Sequence, residues 1–322
     1  MAMRQADQSN GKPIAGTFGS LDVRPAPPDL LIHLHIAKTG GTTLSSMVKH
    51  AFGPHEIFET ISKDDQVYGG LDLLTYASCE RMLRSCDIGE IRYFTGHAPM
   101  GVHRIFGRPA KYIAVVRHPV ERLLSYFYFR IQGGDPYLKD GRPITFEDYV
   151  ESGGDIIFNN YQVRVISGSS ELDAPAGPRG ALVQGAPVEA RHLDMAKRNV
   201  EENFLSIAPL EQLAELALLL RRIYGWPMRR LQTEYKNPTK ERLRAPDLSP
   251  RLRRIVEDNN AYDMELYEWA RRRFAEQRKL YEPGLSRDRR IFGAVNRALT
   301  TAGEILPWTL RKRLAQMLFY AR

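Results

Sequence analysis

Apolar positions along this chain follow two periods, and the switches between them mark its elements. Leu30 to Ile36 (LLIHLHI) is a mostly apolar run of strand length, the pattern of a parallel strand buried on both faces. Just after it, Leu44, Met47, Val48 and Ala51 fall at helical spacing, and Gly53-Pro54 stops that helix. Another helix is predicted over about 71–83. Ile91–Thr95 (IRYFT) and Tyr112–Val116 (YIAVV) read as the second and third strands, and Phe204–Ala208 (FLSIA) as the fourth. The third strand leads into a helix through Leu123, Leu124, Phe127 and Tyr128, and the fourth into a Leu-rich helix over 210–224. Residues 251–279 carry Ile255, Tyr262, Leu266, Tyr267 and Trp269 as the apolar side of a charged helical stretch. Strands alternating with helices predict an α/β fold, a parallel sheet flanked by helices.

The boundaries follow from composition. Residues 1–28 are polar and Pro/Gly-rich and read as a flexible leader with no apolar core of signal-peptide type. Residues 29–282 form a single domain, interrupted by Gly/Ala/Pro/Ser-rich residues 168–190 and by polar, basic residues 236–250, both expected as loops. Residues 283–322 form a helical tail with eight Lys/Arg against Asp288 and Glu304, which holds most of the chain's net charge of +8. In that tail Ile291, Phe292, Val295 and Leu299, then Leu310, Leu314, Met317 and Leu318, recur near helical spacing on either side of Pro307. Such a basic amphipathic segment suits three partners: an anionic membrane surface, the domain itself or a second subunit. No stretch approaches the ~20 apolar residues of a membrane span. Cys79 and Cys86, the only cysteines, lie roughly 10 Å apart along a helix by rise alone, too far for a disulfide. A cytoplasmic protein, peripheral on the inner membrane face if the tail binds lipid, is the expectation.

Charge favours an anionic partner without choosing one, and no basic stripe interleaved with aromatics points to nucleic acid. The choice comes from what stands at the predicted strand ends, where open parallel sheets bind ligands. The first strand ends in Lys38-Thr39-Gly40-Gly41-Thr42-Thr43. Glycines there let backbone N–H groups approach an anion at a helix N-terminus, threonines add hydroxyls and Lys38 adds charge. A plain strand–helix turn with a threonine cap is the competing reading. Lys38 precedes the glycines, whereas a Walker A lysine follows them. The second strand ends in Gly96-His97, and His97 is the candidate general base. The third ends in Arg117-His118-Pro119, with Ser125 eight residues after Arg117. Arg117 suits a phosphate, and Ser125 reaches the same phosphate only if the chain bends before the helix begins. Otherwise Ser125 is an ordinary helix serine. His33 and His35 are expected to pack or hydrogen-bond on their strand, His103 to touch an acceptor, and His118 to orient its turn. Asn159, Asn160, Gln162 and Arg164 are read either as a cluster that binds acceptor or orders the site, or as a satisfied polar helix face.

HIAKTGGTTL resembles the 5′-phosphosulfate loop of sulfotransferases that use 3′-phosphoadenosine 5′-phosphosulfate (PAPS), and YIAVVRHPVERLLSYFYF resembles their 3′-phosphate motif. YFTGHAP, FNNYQVRVISG and LDMAKRNVEENFLSIAPLEQLAELALLL extend the likeness to the heparan sulfate 2-O- and 6-O-sulfotransferases and uronyl 2-O-sulfotransferases. The resemblance spans about residues 30–282. It implies a P-loop-like fold and PAPS as co-substrate without a metal. The acceptor it implies is a saccharide hydroxyl; membrane binding by the tail would point to a lipid-linked one. It also implies Lys38, Thr39, Gly40, Gly41, Thr42, Thr43, Arg117 and Ser125 as cofactor-binding residues, with His97 and Lys38 catalytic. A magnesium-dependent kinase and a non-catalytic PAP- or polyanion-binding module stay open as alternatives.

Overall fold

The apolar run at Leu30 is the middle strand of a five-stranded parallel sheet in the computed structural model, which describes residues 27–60, 76–172, 181–228, 231 and 243–305. The strands are β1 (Leu30–Leu34), β2 (Ile57–Glu59), β3 (Tyr93–Gly96), β4 (Ala110–Val116) and, after a short antiparallel ribbon β5 (Leu138–Lys139) and β6 (Arg142–Pro143), β7 (Phe204–Pro209). The sheet order is β2-β3-β1-β4-β7, with every pair parallel. The helices are α1 (Gly41–Val48), α2 (Tyr76–Leu83), α3 (Pro119–Gln132), α4 (Phe146–Glu151), α5 (Tyr161–Ser167), α6 (Ala190–Asn203), α7 (Leu213–Tyr224), α8 (Pro250–Asn259), α9 (Ala261–Lys279) and α10 (Gly284–Ile305).

The alternation of side chains along a strand splits the core in two. Leu30, Ile32 and Leu34 face one layer with Phe94, Tyr112, Ala114 and Val116, packed under α2 to α6 and α8. Leu31, Tyr93, Ile113 and Val115 face the other, packed under α1, α7 and α10. α9 lies along the β7 edge and contributes to both layers, through Leu266 and Ala270 to one and Phe274 to the other. Its Gln277 donates to the Leu205 carbonyl at 2.8 Å and accepts from Ser206 Oγ at 2.7 Å. An outer strand with free polar groups is thereby covered.

The four strands expected from the apolar runs are present, with the second shifted to begin at Tyr93. The fifth, β2, is three residues long with Glu59 exposed, too short to show a period. The helical stretch expected over 251–279 is two helices. Asn260 breaks it: its backbone leaves the helical region (φ −123°, ψ 27°) while its side chain donates to the Val256 carbonyl at 2.8 Å and accepts from Asn160 N–H at 3.2 Å. Cys79 is buried in α2 and Cys86 lies beyond its end; both are free, and burial pushes the Cys79 thiol up to about 12.

The first part of the tail docks on the domain. In α10, Leu285 and Phe292 are buried in the second layer, and Asp288 between them receives Arg221 at 2.7 Å and Arg222 at 2.8 Å. Ile291 remains exposed. The expected apolar set from Leu310 to Leu318 falls outside the described residues. Among the described residues no helix is long and apolar enough to cross a membrane. Because Leu285 is fully buried, Leu285→Ala should destabilise the protein by about 2–5 kcal/mol. Urea unfolding checks this, and a helix merely resting on the domain would leave the midpoint unchanged.

Candidate active site

Strand order reverses direction at β1. The chain moves from β1 to β2 and β3 on one side, then to β4 and β7 on the other. α1 leaves β1 toward one face and α3 leaves β4 toward the other, which opens a crevice at the carboxyl ends of β1 and β4. The loop after β1 holds two residues in the left-handed region, Lys38 (φ 65°) and Gly40 (φ 87°). A side chain at Gly40 would also stand 2.4 Å from Leu210 Cδ1. Gly41 is required for a different reason: a Cβ there would sit 2.0 Å from Cδ2 of His35, whose ring lies directly against the loop. The first helical bond of α1 runs from Leu44 N–H to the Gly40 carbonyl. The N–H groups of Gly41, Thr42 and Thr43 precede it and have no intrahelical acceptor, and Gly40 supplies no capping side chain. That is the arrangement of an anion site.

The threonines differ. Thr42 is exposed, Thr43 is buried, and the Thr39 hydroxyl is committed to the Ile36 carbonyl at 2.8 Å, which tightens the turn. The Lys38 ammonium lies 3.8 Å above the Phe129 ring on α3. Across the crevice, Arg117 Nη1 donates to the Lys38 carbonyl at 3.1 Å, and Nη2 stands 3.6 Å from the Glu121 carboxylate. The chain does bend before α3: His118 is non-helical (φ −50°, ψ 124°) and Pro119 takes the first helical position. Ser125 is buried on α3. A cavity of about 130 Å³ beside Thr43 is lined by Met47, Leu210, Leu213 and Phe292 of α10.

His97 is half-buried at the end of β3. Its Nδ1 lies 2.7 Å from the His35 carbonyl, which can only accept, so Nδ1 carries the hydrogen and Nε2 keeps its lone pair. Burial lowers its pKa below 6.5, with Lys38 adding to the effect and the carbonyl bond opposing it. His103 is set the other way. Tyr112 Oη accepts N–H groups from Gly101 and His103, at 3.2 and 3.0 Å, and gives its own proton to His103 Nδ1 at 2.8 Å. His103 Nε2 is therefore protonated. Its ring lines a polar groove of about 380 Å³ with Arg104, Arg198 and Asn203, beside the start of β7 and away from the strand carboxyl ends.

Residues 22–165 match the profile of the sulfotransferase family. The chain is 25% identical over 267 residues to heparan sulfate 2-O-sulfotransferase 1 of Xenopus laevis, which covers 76% of this chain and 70% of that protein. It is 24% identical to uronyl 2-sulfotransferase of Mus musculus, over 77% of this chain and 62% of that one. To the Drosophila melanogaster heparin sulfate O-sulfotransferase it is 29% identical over 53% and 50%. Over residues 22–165 this chain is similar to the sulfotransferase family. The match stops short of the full length of these relatives and covers about half of the Drosophila protein.

Beneath this similarity the structure brings Lys38 and Arg117 together and places His97 against His35. The polar cluster at the start of α5 holds helices. Asn160 donates to the Asn259 carbonyl and accepts from Asp263 N–H, both at 2.9 Å, and Arg164 donates to the carbonyls of Leu172 and Ala186. Gln162 orders the candidate site, one of the roles expected for this cluster. It grips both backbone groups of Arg117, accepting its N–H at 2.8 Å and donating to its carbonyl at 2.9 Å. His33 packs and hydrogen-bonds on its strand as expected: Ser45 Oγ and Thr95 Oγ1 hold its Nδ1 at 2.9 and 3.0 Å. Two histidines at alternate strand positions were the available signal.

Burial lowers the His33 pKa from 6.5 to about 3, with a smaller push from His97. Between those values the unfolded chain binds the extra proton, so stability falls as pH drops. His33 alone should cost about 2 kcal/mol between pH 6.5 and 5. Urea unfolding at the two pH values should show this slope, and His33→Gln should flatten it.

Proposed function

We propose that this protein is a sulfotransferase that moves a sulfuryl group from PAPS to a saccharide hydroxyl with His97 as general base. The observation that carries the reading is the His97 tautomer, which leaves an unprotonated Nε2 at the strand ends beside an anion-binding loop. The relatives named for 2-O-sulfation of heparan sulfate and for uronyl 2-sulfation support the transferred group and the acceptor class.

The residues fit an adenosine bisphosphate-type ligand at two places. The left-handed Gly40, the close-packed Gly41 and the uncapped α1 terminus form a backbone cradle for the 5′-phosphosulfate, flanked by Thr42 and Thr43. Arg117, held by Gln162 and bonded to the cradle through the Lys38 carbonyl, stands where a 3′-phosphate would replace Glu121 as its anion. Ser125 joins Arg117 in that reading. PAPS supplies the activated sulfuryl group and a phosphate leaving group when bound. Lys38 brings the positive charge that offsets developing charge on the leaving side, and positioning and electrostatics carry most of the rate. His97 Nε2 takes the acceptor proton. A free saccharide is favoured over a lipid-linked acceptor, because α10 spends Leu285 and Phe292 on the core.

Incubation with labelled PAPS and a saccharide panel tests this. His97→Ala should retain PAP affinity and lose turnover by about 10²–10⁴-fold. Near-parental turnover in that variant would move the base elsewhere, and magnesium-dependent ATP turnover without PAPS turnover would favour a kinase.

Two more outcomes follow from the same geometry. Since the base works unprotonated and its pKa lies below 6.5, the acid limb of kcat/KM should have its midpoint below that value. Arg117→Ala should weaken PAP binding by about 1.5–3 kcal/mol in a calorimetric titration. Unchanged affinity would remove Arg117 from the phosphate site.

A further inference from the structure

Three imidazoles stand in a row beneath the phosphate loop. His33 and His35 alternate along β1 and so share a face; their ring centroids are 5.3 Å apart and their planes 16° from parallel. His97 from β3 continues the row, stacked on His35 at 4.3 Å and 24°. We infer that His35 is a positioning residue for the base: its ring fixes the plane of the His97 imidazole, and its carbonyl fixes which nitrogen is left open. The inference rests on the reading of His97 as the base.

His35 is held on both sides. Behind it, His33 is pinned by Ser45 and Thr95, whose hydroxyls also bond each other at 2.7 Å. In front of it, the backbone of Gly41 lies so close that no side chain fits between. The ring is therefore indexed to the same loop that would cradle the phosphosulfate. Through the stack, the His97 plane is indexed to it as well. The bond from His97 Nδ1–H to the His35 carbonyl at 2.7 Å stops the ring from presenting Nδ1 to an acceptor instead. One residue thus ties base and anion loop to a common frame, which suits a reaction that requires an in-line acceptor.

The charges around the row agree. Burial holds His35 neutral, and His33, His97 and Lys38 all oppose a proton on it. A neutral His35 adds no positive charge beside His97, whereas a lysine or arginine there would.

The test uses the full chain with His35→Ala and His35→Phe, and His97→Ala as reference. His35→Ala should lose about 10–100-fold in kcat through misplacement of the base. PAP affinity and the KM for PAPS should stay within about twofold, since the loop backbone is intact. Both variants keep the carbonyl, but only His35→Phe keeps a flat ring to stack on His97, and it should recover most of the loss. Imidazole ¹⁵N shifts give a readout independent of turnover: His97 should be the Nδ1–H tautomer in the parent and in His35→Phe, and a mixture in His35→Ala, where the unstacked ring can turn away from the carbonyl that the backbone retains. Parental kcat with an unchanged tautomer in His35→Ala overturns the inference. So does equal loss in both variants with the tautomer preserved, which would give the His35 ring nitrogen a chemical role. If the parent fails to use PAPS, the functional reading fails, and the shifts still decide whether His35 sets the tautomer.

Discussion

The bond from the Arg117 guanidinium to the Lys38 carbonyl closes the crevice at the switch point, and the site depends on it. It joins the loop after β1 to the loop after β4, which leave the sheet on opposite faces. Lys38 is in the left-handed region, a strained conformation for a residue with a side chain, and the arginine holds its carbonyl there. Arg117 is itself held through its backbone by Gln162. The N–H groups of Gln162 and Val163 are in turn received by the buried Asp263 carboxylate of α9, at 3.0 and 2.8 Å. A helix far along the chain therefore sets where Arg117 stands. An acid buried at the N-terminus of α5 is stabilised there by the helix dipole and by the nearby Arg122 charge, against the desolvation that raises its pKa.

Two histidines close together in sequence end with opposite chemistry for a local reason. His97 meets a carbonyl, which only accepts, and keeps a lone pair on Nε2. His103 meets a tyrosine hydroxyl whose lone pairs are taken by two backbone N–H groups, and its Nε2 carries a hydrogen. One is equipped to remove a proton and the other to donate a hydrogen bond. Nothing in the residue type separates them.

The elements that were legible had long periodic signals. β1, β4 and β7 are apolar because each is covered on both faces, and a parallel sheet needs that cover. The anion loop was legible because few residues tolerate both a left-handed backbone and contact with a ring, and two adjacent glycines after a strand announce such a place. β2 was not legible, since three half-exposed residues at a sheet edge carry no period. The break at Asn260 was hidden because an asparagine inside a charged helical pattern reads as surface until its partner, Asn160, is known.

The sequence alone determined the fold class, the glycine turn after β1, and the residues Lys38, His97 and Arg117 at three strand ends. These depend on neighbours in the chain: apolar period, glycine placement and the alternation of strand and helix. Only the tertiary structure decided the protonation pattern of the histidines, the grip of Gln162 on Arg117, and the docking of α10 through Leu285, Asp288 and Phe292. Each of these is a contact between residues distant in sequence. A hydrogen-bond direction or a buried ion pair is a property of both partners, and the chain states only one of them at a time.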